Sequence, residues 1–301
     1  MNRACFIGVL MIVVPFCIDG QELTMKFDFA VRDFYFNKDS SIYLKKRDLH
    51  VESQNLEKTL FLGGYGLKMF YDEGNRIITA SNELVRNVAS VRFFNKNSEK
   101  QERVYFYENA KIIDFIVMPE INIFVLSLTN KKIVFINYEE KSRFRKVIEI
   151  DAQALSRKLI HKDGDLFFAT DHGQIYKYSL KNYNNTLIYE TNDPITDFNI
   201  NQTSVVYTTI NNKIVKFNLS TKEKKEIKLQ NNFVNTFIQL RNNNLICGSW
   251  NGSIYLVDDK DFKIKKELNY HERSILKISK INDSIFYSSS LDKTIKKWHL
   301  Y

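Results

Sequence analysis

The sequence predicts an all-β fold assembled from repeated small sheets, and three observations predict it. Six residues, Phe94, Ile136, Tyr178, Phe217, Val257 and Trp298, fall about 40 residues apart, a period that marks stacked supersecondary units. Each closes an alternating apolar stretch and is followed by Asn, Asn, Ser, Asn, Asp or His. The intervening chain consists of further short alternating runs bounded by Asn, Asp, Gly and Lys, and no long stretch carries a helical period.

Counting four short strands per unit divides the chain into seven units, approximately 30–62, 63–109, 110–150, 151–191, 192–230, 231–269 and 270–301. The first is the least regular, because Ser41 to Gln54 is polar and its apolar periodicity is poor. The seventh is the most regular. It runs from His271 through Ile275-Leu276-Lys277-Ile278 to Ile285-Phe286-Tyr287-Ser288-Ser289-Ser290-Leu291-Asp292-Lys293-Thr294-Ile295-Lys296-Lys297-Trp298-His299.

This last unit resembles a WD40 repeat. In that family a His before the first strand, a Ser or Thr on the second, an Asp in the next tight turn and a Trp on the third share one hydrogen-bond network. The matching residues are His271, Ser288 or Ser290, Asp292 and Trp298. Their donor and acceptor types suit such a chain, since Asp accepts, the imidazole does both, the hydroxyl bridges and the indole only donates. The dipeptide that names the family is here Trp298-His299, and earlier units depart further, with His172, Asn211 and Asn251 in the turn and Val257 in place of the Trp. The resemblance implies a seven-bladed β-propeller of four-stranded blades; a non-propeller all-β repeat protein is the alternative. A domain of 301 residues with 23 Phe and 16 Tyr fits seven thin sheets around one axis.

The chain ends after the third strand of the seventh unit, and Glu22 to Phe29 alternates as a strand does. It is expected to pair with the strand ending at Trp298 and so close the ring, removing an exposed sheet edge. The propeller domain is then 21–301. Upstream, Met1-Asn2-Arg3 and an apolar run from Ala4 to Cys17 precede Ile18-Asp19-Gly20. This segment, 1–20, reads as a secretory signal peptide or as an uncleaved apolar tail, with Met25 as an alternative start. The run is too short for an ordinary membrane span. Cys5 and Cys17 fall inside it, leaving Cys247 as a small buried hydrophobe on a strand, with no disulfide framework. Sequons at Asn184, Asn201, Asn218, Asn251 and Asn282 bear on a secreted protein alone.

The net charge of +9 raises a nucleic-acid reading, carried by Lys131-Lys132, Lys141 to Lys146, Lys222 to Lys228 and Lys263 to Lys266. Most of these belong to outer strands or their turns, where charge also protects sheet edges. Enzyme chemistry finds little footing. Five His show no zinc-type spacing; the densest group, His161, Asp163, Asp165, Asp171 and His172, includes an Asp-Gly turn chosen for backbone reasons. Phe61 to Gly66 is glycine-rich but lacks the Lys-Ser/Thr and helix of a phosphate loop. No catalytic, metal or cofactor residue is assigned.

What the resemblance implies is a platform that binds other proteins, as a monomeric propeller within a complex, through the residue before each turn Asp and the loops entering the first strands. By spacing the pre-turn positions are Thr129, Asp171, Ile210, Trp250 and Leu291. Trp250, Ile210 and Leu291 suit partner contact, with Arg273 and Lys293 at the rim. Three function classes follow: a non-enzymatic scaffold, an RNA-binding or ribonucleoprotein-associated propeller, and a secreted ligand-binding protein or hydrolase. The resemblance implies a cytosolic or nuclear protein, whereas a cleaved 1–20 implies the secretory pathway.

Overall fold

Strands of five to eight residues follow one another along the whole described chain, interrupted by a single 3-10 turn at Pro119–Ile121. The computed structural model describes residues 21–300 apart from 38–39, 54–55, 73–74, 99 and 140–142. The N-terminal segment 1–20, on which the signal-peptide reading rests, lies outside the described residues.

The first strand, β1 (Gln21–Lys26), precedes the blades. Blade 1 holds β2 (Val31–Phe36), β3 (Ser40–Lys45), β4 (Asp48–Ser53) and β5 (Leu56–Phe61); blade 2 holds β6 (Tyr65–Tyr71), β7 (Arg76–Asn82), β8 (Val88–Asn95) and β9 (Gln101–Glu108). Blade 3 holds β10 (Ile112–Met118), β11 (Ile123–Leu128), β12 (Lys132–Asn137) and β13 (Arg145–Asp151); blade 4 holds β14 (Ser156–Lys162), β15 (Asp165–Thr170), β16 (Gln174–Ser179) and β17 (Asn184–Glu190). Blade 5 holds β18 (Ile195–Ile200), β19 (Ser204–Thr209), β20 (Lys213–Asn218) and β21 (Lys224–Lys228); blade 6 holds β22 (Val234–Gln239), β23 (Leu245–Ser249), β24 (Ile254–Asp258) and β25 (Lys263–Leu268). Blade 7 holds β26 (Ile275–Lys280), β27 (Ile285–Ser290) and β28 (Thr294–His299), and its fourth strand is β1.

All seven sheets are four-stranded and antiparallel, in simple sequence order except where β1 completes the last. The N-terminal strand pairs with β28 in the register Met25↔Ile295 and Lys26↔Thr294. The ring is therefore closed by hydrogen bonds between the two ends of the chain. The six periodic residues each occupy the penultimate position of a third strand. In blade 1 that position is Glu52, which accepts a hydrogen bond from Tyr43 Oη at 2.5 Å, so the repeat has no apolar marker there. The polar stretch still yields two strands, because Ile42, Leu44, Leu49 and Val51 are fully buried.

Polarity is graded from axis to rim. Second strands are mostly buried, with their charged or large polar residues confined to the strand ends; β19, Ser-Val-Val-Tyr-Thr-Thr, is buried at every residue. Outer strands such as β21 and β25 are lysine-rich and mostly exposed, the usual protection of a free sheet edge. The buried apolar residues form seven clusters, one at each seam between adjacent blades. Trp298, fully buried, packs with Ile246 and Ile254 of blade 6.

Candidate functional site

The turn between the second and third strands of each blade, and the link from its outer strand to the next blade, lie at the same end of the molecule. Blade 7 shows how that end is held. His271 Nε2 lies 2.8 Å from Ser288 Oγ, which accepts from Trp298 Nε1 at 2.7 Å. His271 Nδ1 lies 2.8 Å from Asp292 Oδ2, and Thr294 Oγ1 donates to Asp292 Oδ1 at 2.6 Å. With the indole donating to Ser288, the serine proton goes to Nε2 and the imidazole is neutral with its proton on Nδ1. Ser290 does not enter this chain; its hydroxyl donates to Arg273 O and accepts from Asp292 N–H. Burial holds the His271 pKa below its ordinary value. Asp292 is opposed by burial, yet its bonds from His271 and Thr294 hold its carboxyl well below the usual range.

Blade 6 reaches a similar end with other residues. Asn232 Nδ2 donates to Asn251 Oδ1 and to Tyr255 Oη, both at 2.8 Å, and Ser249 Oγ donates to Asn251 Oδ1 at 2.7 Å. Asn251 thus occupies the place of Asp292, while its partner Asn232 sits closer to its inner strand than His271 does to β26.

The five pre-turn residues are equivalent in three dimensions. The N–H groups of Thr129, Asp171, Ile210, Trp250 and Leu291 each donate to a carbonyl just before the inner strand, on Lys111, Leu155, Pro194, Phe233 and Ser274. This repeated bond, 2.9–3.1 Å long, sets each turn against the link that enters its own blade. Trp250 is 56 % exposed and Ile210 48 %, whereas Leu291 is half-buried. The Trp250 ring stacks on Phe233, with centroids 5.4 Å apart and planes at 19°. Gly252, at φ +98°, faces the carbonyls of His271 and Arg273 so closely that a Cβ would stand 2.4 Å from the first. Trp250 and Arg273 are thereby carried on adjoining segments. A second apolar group on the same end, Phe29, Phe61, Leu84 and Val85 of blades 1 and 2 and the link into blade 1, is exposed as well. Lys46 Nζ stands over the Phe29 ring at 3.0 Å and the Arg47 guanidinium over Phe61 at 5.0 Å.

Around the axis the inner strands share another device. Each is shifted in register by a bulge after its first or second residue. The residue beyond the bulge is, in blade order, Asp33, Lys68, Asp114, Lys158, Asp197, Thr236 and Lys277. Acid and base therefore alternate, with Thr236 as the exception. Lys68 Nζ is 2.7 Å from Asp114, Lys158 Nζ is 3.1 Å from Asp197, and Lys277 is bonded to Asp33. Each carboxylate also accepts from the next blade: Asp33 from Met69 N–H at 2.7 Å, Asp114 from Leu159 N–H at 2.7 Å, Asp197 from Phe237 N–H at 3.0 Å. The three pairs join every seam except that between blades 6 and 7, which Asn235 bridges to Ile275 O at 3.2 Å. Burial works against the Lys158 charge, and Asp197, Asp114 and Asp33 together outweigh it and raise its pKa.

No family model matches the chain, and no curated protein sequence matches it. Among solved structures it is similar to the WD40 β-propeller domain of Doa1, at TM-score 0.75 and 12 % identity, covering 95 % of this chain and 98 % of that one. The fold is that of a WD40 propeller. The computationally designed Ika8 protein is also similar, at TM-score 0.67 and 10 % identity, covering 91 % and 98 %.

Within this propeller the other sequence candidates are dispersed. His161 Nδ1 lies 3.2 Å from Glu120, and Asp165 is paired with Lys177 at 2.6 Å. Among the described residues no three His, Cys, Asp or Glu side chains converge. Cys247 is buried, which pushes its thiol pKa up. The basic stretches do not share one face: Lys131 is on a turn of blade 3, Arg145 and Lys146 are on its outer strand, and the other two stretches edge blades 5 and 6. Sequence reasoning missed Phe233, the Leu84-Val85 turn and the charged ring. The ring had a legible signal, since Asp or Lys recurs near the start of six inner strands, but it lies outside the WD40 motif.

Proposed function

We propose that the protein is a non-enzymatic scaffold that binds partner proteins through the end of the ring bearing Trp250. The observation that carries this reading is the Trp250 ring, more than half exposed yet supported by Phe233 and by the Asn232–Asn251 bonds. A rigid, partly exposed tryptophan beside exposed Ile210 is the composition of an interface hot spot, where a large ring is buried at little entropic cost. The similarity to a WD40 domain supports the same class of role.

The test is quantitative affinity capture from the native cell with wild type, Trp250→Ala and Ile210→Ser. Partners retained by wild type should be lost from Trp250→Ala, at a melting temperature close to wild type. An unchanged partner set in both variants would place the working surface elsewhere.

A further inference from the structure

Two basic stretches that the sequence separates by about a blade length come side by side at the rim. Strand β21 edges blade 5 and β25 edges blade 6. Between them lies an open groove of about 580 Å³, with Lys225, Glu226 and Ile227 on one side and the blade 6 hairpin from Asp261 to Ile264 on the other.

The groove is held by specific contacts. Lys216 Nζ meets Asp259 at 2.6 Å and Lys225 Nζ donates to Lys260 O at 3.3 Å, tying the blade 6 hairpin to blade 5. Phe262 takes φ +52°, an unfavourable backbone for a bulky L-residue, while its ring is buried in the seam cluster with Ile227 against it. Ile264 remains exposed. The charge around this apolar floor is unbalanced. Lys224 and Lys265 have carboxylate partners in Glu226 and Asp258. Among the described residues Lys222, Lys225, Lys228, Lys260, Lys263 and Lys266 have none, against unpaired Glu223, Asp261 and Glu267.

We propose that this groove docks an acidic segment of a partner protein in extended conformation, with an apolar side chain between Ile227 and Ile264 and carboxylates on the flanking lysines. Charge complementarity selects an acidic occupant. A free sheet edge can bond an extended main chain, and the short groove takes one side chain. Protein is favoured over nucleic acid because the one aromatic ring of the lining, Phe262, is buried and offers no face on which a base could stack. This surface is separate from the Trp250 end, so either assignment can fail alone.

The test uses the full chain and a phage-displayed peptide library with Asp or Glu at alternate positions and varied apolar residues between. Acidic peptides should be enriched, and the affinity of a selected peptide should fall with salt. Lys225→Glu/Lys263→Glu should weaken it by about tenfold or more, and Trp250→Ala should leave it unchanged. If the first variant melts early, Lys222→Glu/Lys266→Glu, at exposed positions, supplies the same reading. Absence of enrichment, or binding indifferent to both charge reversals, overturns the proposal. Tighter binding of an oligouridylate that displaces the peptide and is lost in the same variants overturns it in favour of nucleic acid.

Discussion

Single residues in the last two blades show how one geometry can be reached with different chemistry. His271, Ser288, Asp292 and Trp298 form a continuous chain of hydrogen bonds, and Asn232, Asn251 and Ser249 form a shorter one. Only the first contains titratable groups. Burial lowers the His271 pKa, and burial likewise lowers that of His50. A histidine whose folded pKa is depressed contributes fully above its unfolded value of about 6.5 and loses that contribution as pH falls below it. The Asp292 carboxyl, also depressed, adds a loss only below about pH 4. The melting temperature should therefore decline from pH 7.5 to 5. In His271→Asn it should be lower at pH 7.5 but decline less steeply, the remaining slope belonging to His50. Equal slopes in the two proteins, measured by calorimetry at matched ionic strength, would remove His271 as the cause. The spacing of His271, Asp292 and Trp298 was legible in the sequence, whereas the choice between Ser288 and Ser290 was not. Both serines lie on the same strand two residues apart and point to the same side, and only the position of the indole decides which hydroxyl it reaches.

At the scale of the element, β1 matters most because it belongs to the last blade while coming first in the chain. Its pairing with β28 supplies the fourth strand of blade 7 and joins the first strand of the chain to the last. Met25 and Phe27 add apolar contacts with Val31, Phe34 and Tyr43 in the seam between blades 7 and 1. A chain starting at Ala30 should lack a cooperative thermal transition and bind a hydrophobic dye in calorimetric and fluorescence assays. A melt within a few degrees of wild type would show that the ring closes without this strand. The alternation of Glu22 to Phe29 made the strand legible, and its partner could be anticipated because a three-stranded seventh unit needs a fourth. Blade 1 was harder to read for a local reason: Glu52, bonded to Tyr43, occupies the position where the other blades carry the apolar marker.

Over the whole molecule, the ring of charges links blades that hydrophobic seams alone would hold with less geometric definition. Asp197 is nearly fully buried, while Lys158 keeps 31 % of its side-chain surface, so removing either partner leaves the other poorly compensated. Lys158→Met should cost about 2 kcal/mol and Asp197→Asn about 3 kcal/mol, with a double variant less destabilised than the sum. Urea denaturation of the four proteins measures this coupling; strict additivity would mean that the pair contributes nothing as a pair.

The sequence by itself determined the repeat, the four-stranded unit and the closing strand, because every blade is an antiparallel meander whose partners are neighbours along the chain. The period survives even where the polar motif is lost. Only the tertiary structure decided how the blades meet. Lys68 and Asp114 are 46 residues apart, and Lys277 and Asp33 are 244 apart; such contacts depend on the order and tilt of whole sheets. The Trp250–Phe233 stack and the groove between β21 and β25 arise in the same way, from loops and edges that become neighbours once the seven seams are packed and the ring is closed.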